Sequence, residues 1–192
     1  MNAPVTRAAE GLARWAFTVA DVERIVEIGL IPPDERLEIL GGEIVPMSPK
    51  GGRHEVLKVA LSLHWGKRCP DDWVFAQETG LCLNEHTYLQ PDFVVFCKSV
   101  GLASLRGPDV VLAVEVADSS LDYDLRQKPL VYAKFGIREL WVLDAARRVV
   151  HVHIRPGSGG YASTAAYQSS DRLEPTEAPR DFALALDDLE SV

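Results

Sequence analysis

The chain has 192 residues, 47% of them hydrophobic and 25% charged, with a formal net charge of −8. This is the composition of a globular protein long enough to bury a sizeable core, and its acidity argues against broad, nonspecific nucleic-acid binding through a basic surface. It does not exclude a nuclease, since acidic groups gathered around a metal add to the sum. No apolar run reaches the length of a membrane-spanning helix. The N-terminal MNAPVTRAAEG lacks the charged-then-apolar layout of a secretory leader, so a cytoplasmic protein is expected. Cys69, Cys82 and Cys97 lack paired zinc-site spacing and leave one over in any disulfide scheme, which suits small apolar residues in a reducing compartment.

FTVADVERIVEIG reads as a first helix, capped by Thr18 with Asp21 and ended by Gly29. RLEILGGEIVPM alternates on both sides of Gly41-Gly42, a hairpin signal with Leu37, Ile39 and Ile44 on one side and Glu38 and Leu40 on the other. GGRHEVLKVALSLHWGKR is a helix whose apolar residues at 56, 57, 60, 61 and 63–65 fall roughly on one face. WVFAQETGLCLN and YLQPDFVVF read as two strands joined at Asn84-Glu85-His86, and GLASLRGPD as a loop. VVLAVEVA is nearly continuously apolar, as in a strand with both faces covered. A helix is predicted from about Asp124 to Phe135, then a strand pair ELWVLD and VVHVHI, a weaker strand GYASTAAYQ, and a tail DFALALDDLESV with an edge segment and a last helical turn. This order describes an α/β or α+β domain with helices packed on a mixed sheet.

Two carboxylates stand out. Glu115 is the single charge inside an otherwise apolar strand, where an uncompensated ion would cost several kcal/mol on the order expected for buried charge. Asp92 follows Pro91 at the opening of the preceding strand, where a proline is tolerated. Either Asp92 caps a turn and Glu115 pairs with a basic residue, or both converge on a hard divalent cation. Asp124, Lys128 and Tyr132 are spaced four apart and share one helical face, so Lys128 has a fixed direction that could look toward the carboxylates. Pro129 requires that the regular helix start near Lys128 or that its first turn be distorted.

RLEILGGEIVPMSP, RHEVL, LQPDFVVF, VVLAVEVADSS and DLRQKPLVYAKFGIRELWVLD, in that order, resemble the Uma-two-like restriction endonucleases, a bacterial branch of the PD-(D/E)xK nuclease superfamily. The resemblance spans roughly Phe17 to Ile154. It implies a restriction-endonuclease-like mixed sheet flanked by helices, with an N-terminal helix and hairpin. The length suits a single domain over 1–192, within which the resemblance sets a core at 17–154, leaving a C-terminal strand and tail at 155–192. The activity it implies is Mg²⁺- or Mn²⁺-dependent hydrolysis of DNA. Asp92 and Glu115 would then be metal ligands with the Val116 carbonyl. Glu38 would be an acid from an earlier element, and Lys128 the catalytic lysine. The superfamily's usual lysine, two residues after the glutamate, is here Ala117.

His54 matches a position where the family has histidine and could touch a phosphate or a carboxylate, helped by Arg53 and Lys58; Tyr132 is a further accessory candidate. Lys50, Arg53, Lys58, Lys67 and Arg68 are the densest basic region, read as a nucleic-acid contact or as a solvated helix face. Ser119-Ser120 read as a cap for the following helix. His151 and His153 share a strand face and could bind a metal in principle, although no third ligand lies nearby. The rival to an endonuclease is a catalytically silent nuclease fold that binds nucleic acid or protein. Cleavage of two strands would favour a symmetric homodimer.

Overall fold

In the computed structural model the described residues are 5–7, 11 and 13–190. Most of the N-terminal segment read for a leader, and the last two residues of the tail, lie outside them. In chain order the elements are β1 (Val5–Arg7), β2 (Ala13–Trp15), α1 (Val19–Glu27), β3 (Leu37–Leu40), β4 (Glu43–Pro46) and α2 (Gly52–Gly66). There follow β5 (Trp73–Gln77), β6 (Leu81–Asn84), β7 (Thr87–Leu89), β8 (Phe93–Cys97), β9 (Leu112–Ala117), α3 (Leu121–Arg126), α4 (Lys128–Lys134), β10 (Glu139–Asp144), β11 (Val149–Gly157) and β12 (Gly160–Tyr167). The fold is mixed α+β, as expected. The chain divides into two compact units, Met1–Ser48 with Gly80–Gln90, and Pro49–Thr79 with Pro91–Val192.

The smaller unit holds the β1–β2 pair, α1 and a four-stranded sheet in the order β4-β3-β7-β6. Thr18 and Asp21 form the anticipated capping box on α1, satisfying two backbone donors that a helix start leaves open. The hairpin turns at Gly41 (φ 56°) and Gly42 (φ 90°), the left-handed conformations such a turn requires. A Cβ on Gly42 would also lie 2.7 Å from the Ala16 Cβ, so that position is closed to side chains. The hairpin's faces are not one buried and one wet: Glu38 and Ile39 are both buried.

The larger unit is a six-stranded sheet in the order β12-β11-β10-β9-β8-β5. β9 lies parallel to β10 and antiparallel to β8, and all six of its residues are buried, as its unbroken apolar run requires. On one side α2 lays Leu57, Leu61 and Trp65 against Phe93, Val95 and Val114. Trp65 meets Phe75, Phe93 and Phe182 edge-on, with centroids 5.4–5.9 Å apart, and its Nε1 donates to the Phe182 carbonyl. Truncating it to alanine would remove the centre of this cluster at a cost of about 3–5 kcal/mol.

Three expectations need correction. WVFAQETGLCLN and YLQPDFVVF are each two strands, broken at 78–80 and 90–92, and their halves join different sheets. The breaks fall at Glu78, which takes a positive φ of 49°, and at the Pro91 that cannot donate to a ladder. The α2 positions 56 and 63 do not share the buried face: His54, Leu57, Ala60, Leu61 and Trp65 are buried, whereas Val56, Val59 and Leu63 are exposed. The helical stretch read from 124 to 135 starts earlier, at Leu121, and is divided at Gln127; the second helix begins at Lys128, the start that Pro129 was expected to impose. The loop after β8 carries three short 3₁₀ turns, and the C-terminal tail is held by a β-bridge between Leu173 and Leu184, by bonds from Trp65 and Arg148 to its carbonyls, and by burial of Phe182, Leu184 and Leu186 in the core.

Candidate functional site

β8 and β9 pair as Phe93↔Val114, Val94↔Ala113 and Val95↔Leu112. One step further along that register sets Asp92 opposite Glu115. Asp92 Oδ2 accepts a 2.9 Å hydrogen bond from the Val116 N–H, which ties the first carboxylate to the strand of the second, one residue from Glu115. Asp92 and Glu115 are both buried, 6% and 2% exposed.

Glu115 is surrounded by residues of the next two helices. Lys128 Nζ lies 3.0 Å from Glu115 Oε2 and 3.3 Å from Asp124 Oδ1, and the Tyr132 hydroxyl donates to Glu115 Oε1. The four-residue spacing therefore holds across the break at Gln127: Asp124, Lys128 and Tyr132 are all buried. The Tyr123 ring centroid lies 5.5 Å from the lysine nitrogen, within cation–π range. Ser120 occupies the N-cap of α3 but makes no side-chain cap; its hydroxyl donates to the Asp124 carboxylate instead.

Asp92 is held by a different set. Lys50 Nζ donates to Asp92 Oδ1 at 3.0 Å, and His54 Nε2 lies 3.1 Å from both carboxylate oxygens. Burial pushes the Asp92 carboxyl up, but the bond to His54, the positive charge of His54 and Lys50, and the Val116 N–H outweigh it and hold the group at about 2. Lys50 also binds Glu78, which Lys58 binds in turn. Burial raises the Glu78 carboxyl, yet the two lysines together bring it down to about 2. The same contacts, with Glu55, raise Lys58 against a burial effect that lowers it. The strained backbone of Glu78 is fixed by its N–H, which donates to the Asp92 carbonyl at 3.1 Å.

The basic region read at 50–68 is thus mostly neutralised. Arg53 is paired with Asp118, Lys67 with Glu190, and Arg68 donates to the His64 carbonyl. Glu38 lies in the smaller unit on β3, where Oε1 accepts from the Gln90 N–H at 3.0 Å. His153 is buried on β11 with Nδ1 against the Thr164 hydroxyl, and its Nε2 has no partner among the described residues. Burial and the neighbouring His151 hold it down to about 4. The three cysteines are free thiols.

The site residues that sequence reasoning missed are Lys50, as a direct partner of Asp92, and Glu78. Both sit in short turns, SPKGG and QETG, whose pattern says nothing about partners 20 to 42 positions away. Only the positive φ of Glu78, on a residue type that rarely adopts it, would have marked the second turn as constrained.

The side chains that β8 and β9 bring opposite one another offer carboxylate oxygens, from Asp92 and Glu115. This chemistry suits a hard divalent cation and not a thiophilic one. Among the described residues no three His, Cys, Asp or Glu side chains form a ready cage. Cations of the chain itself, Lys50 and Lys128, already stand against the two carboxylates.

A mixed sheet flanked by helices, with an aspartate and a glutamate on two neighbouring inner strands and a lysine on the helix that follows, is a nuclease-type fold. The chain belongs to the Uma2 family, described as "Putative restriction endonuclease", whose profile matches residues 14–187. A solved structure described as a putative nuclease belonging to DUF820, from Anabaena variabilis ATCC 29413, is similar at a TM-score of 0.66 and 16% sequence identity. The match covers 91% of this chain and 94% of that one. No curated protein matches. Among the described residues no helix is long and apolar enough to cross a membrane.

Proposed function

We propose that this protein hydrolyses DNA phosphodiester bonds with Mg²⁺ or Mn²⁺ held by Asp92, Glu115 and the Val116 carbonyl. The observation that carries the reading is the hydrogen bond from Val116 N–H to Asp92, which joins the two acidic strands beside a lysine-bound Glu115. A divalent ion there would polarise the phosphoryl group and acidify a water. The chain's own residues have distinct parts. Asp92 supplies an oxygen that stays anionic well below neutrality. Lys128, fixed between Glu115 and Asp124, presents an ammonium to charge that grows on the phosphoryl oxygens. Tyr132 fixes the direction of Glu115, and His54 and Lys50 fix that of Asp92. Glu38, whose Oε1 accepts from the Gln90 N–H, is the further acidic residue of this reading.

Supercoiled plasmid incubated with Mg²⁺ or Mn²⁺ should be nicked or linearised, and a chelator should stop the reaction. Asp92→Ala and Glu115→Ala should each abolish cleavage, with circular dichroism showing that the fold is kept. Cleavage that survives both changes overturns the assignment, and labelled RNA beside DNA decides the substrate. The second reading, a silent fold that binds protein or nucleic acid, is favoured by the pairing of Lys50, Arg53, Lys58 and Lys67 with carboxylates. Calorimetric titration separates the two: Mn²⁺ heat that disappears in Asp92→Ala supports the nuclease, and its absence in the intact protein supports the binding module.

A further inference from the structure

Around Asp92 carboxylates and bases alternate in a closed ring. Lys50 Nζ donates to Asp92 Oδ1 at 3.0 Å and also to Glu78 Oε1. Glu78 Oε1 accepts from Lys58 as well, which donates in turn to Glu55 at 3.0 Å. His54 closes the ring, with Nδ1 3.1 Å from Glu55 and Nε2 3.1 Å from Asp92. Three carboxylates thus share two lysines and one imidazole, and all six residues belong to the larger unit. Of the two lysines, Lys50 is the one that reaches Asp92.

Asp92 keeps its direction without that lysine. The Val116 N–H donates to its Oδ2, and His54 lies against both of its oxygens. Lys50 in turn is not stranded without Asp92, because Glu78 stands beside it as a second acceptor that opens to solvent. Lysine suits such a place: its ammonium carries three rotatable donors on a flexible stem, whereas the fork of an arginine commits to one geometry. The backbone end of that stem is fixed, since a Cβ on the neighbouring Gly51 would lie 2.5 Å from the Asp118 carboxylate. Lys128 differs on each count, being clamped between Glu115 and Asp124, both buried.

We propose, on the reading that Asp92 is a metal ligand, that Lys50 is the resident counter-ion of that ligand. It neutralises Asp92 in the metal-free protein, yields Oδ1 to a divalent cation, and stays behind on Glu78. Lys50 is then a residue that positions and selects, and not a catalytic one. A monovalent ion brings no more charge than the ammonium it would displace, whereas a divalent ion brings one unit more, so the exchange favours divalent cations. The displaced ammonium remains on Glu78 and repels the ion that replaced it. The same lysine that settles the metal-free site therefore holds down its affinity for metal.

Calorimetric titration of the full chain with Mn²⁺ reads the sign of the effect. Lys50→Met keeps the aliphatic stem without the charge and should tighten Mn²⁺ binding at least about tenfold, since affinity for such ions follows the charge of the site. Lys50→Gln, which still offers Asp92 a donor, should tighten it likewise, and Lys50→Arg should stay near the parent. A lysine that merely props Asp92 in place gives the opposite sign. Glu78→Gln removes the group that receives the ammonium and should weaken Mn²⁺ binding in the parent but have a smaller effect in Lys50→Met, a coupling that the double-mutant cycle isolates. Binding that is weaker or unchanged in both Lys50→Met and Lys50→Gln overturns the proposal, and leaves Asp92 a ligand if the heat is lost in Asp92→Ala. Heat that persists in Asp92→Ala, or no heat in any of these proteins, overturns the ligand reading and the proposal together. Heat absent from the parent but present in Lys50→Met supports the lysine as the group that occupies the site, and retires the cleavage reading instead.

Discussion

Glu115 and Asp92 leave adjacent strands, yet the chain surrounds them differently. Glu115 is bound by Lys128 and Tyr132, with Asp124 behind the lysine, all from one stretch of two short helices at four-residue spacing. Asp92 takes its partners from Lys50, His54 and Val116, and the network runs on through Glu78 to Lys58 and Glu55. The first nest is dry, with side chains 3–5% exposed. The second opens to solvent at Glu78 and Glu55, with side chains 36% and 46% exposed. A local nest is set once its helices dock. A nest assembled from distant segments and wetted at one end can exchange a lysine for an incoming cation at lower cost. This contrast makes Asp92 the more yielding of the two proposed ligands.

The sharpest way to break the comparison is to remove one lysine from each nest. Lys128→Ala leaves Glu115 and Asp124 buried without their shared cation and should cost about 3–5 kcal/mol, read as a shift in the urea midpoint. Adding Glu115→Gln should restore part of it, since one stranded charge is then gone. Lys50→Ala should cost no more than about 1–2 kcal/mol, because His54 and the Val116 N–H still hold Asp92. Equal losses would show that the Asp92 nest is as closed as the other.

His153 calibrates both nests, being buried with one ring nitrogen unpartnered among the described residues. Its folded value near 4 lies below the usual 6.5. The unfolded chain therefore takes up a proton first, and stability is full above pH 6.5 and falls as the pH drops toward 4. The loss should reach about 3 kcal/mol, and His153→Phe should flatten that limb of a stability-against-pH curve. An unchanged slope in the variant would assign the limb to other groups.

The Glu115 nest could be read from the sequence because helical periodicity carries the information: 124, 128 and 132 share a face whatever else the chain does, and a proline at 129 announces the break. The strand of Glu115 was legible by its unbroken apolar run. The Asp92 nest was not. His54 was noticed as a possible contact to a phosphate or a carboxylate, but nothing identified that carboxylate as Asp92, and Lys50 was counted with a basic patch. Nothing local tells a lysine in SPKGG that it meets an aspartate 42 positions later. The split of two apparent strands into four was equally hidden, since β-pattern reports which face is apolar and not which sheet a strand joins. The apolar residues of α2 were visible, but Val56 and Leu63, placed with the buried face, are exposed.

Asp92 gives the next largest effect, in the metal-free protein. Its folded value of about 2 lies below the usual 3.8, so its contribution is present above pH 3.8 and is lost as the pH falls through 2. That is about 2 kcal/mol. His54→Ala removes the leading influence that depresses the carboxyl, so the acid-unfolding midpoint should move to higher pH. The carboxyl carbon of Asp92, followed by NMR, should titrate closer to 3.8. A titration that stays near 2 in this variant would mean that Lys50 and the Val116 N–H suffice, and His54 would lose its place as the principal holder of Asp92.

The smallest effect belongs at the wet end of the same nest. Lys58→Met keeps the aliphatic stem and removes one of two cations from Glu78, which retains Lys50. Because Glu78 and Glu55 are over a third exposed, solvent screens what is lost, and the change should cost less than about 1 kcal/mol. Its signature is ionic: the difference between variant and parent should shrink as salt is raised, whereas the Lys128→Ala loss, set in a dry nest, should persist at the same ionic strength. If both differences fade together, solvent reaches Glu115 as freely as Glu78, and the two carboxylates would then be equally open to an incoming ion.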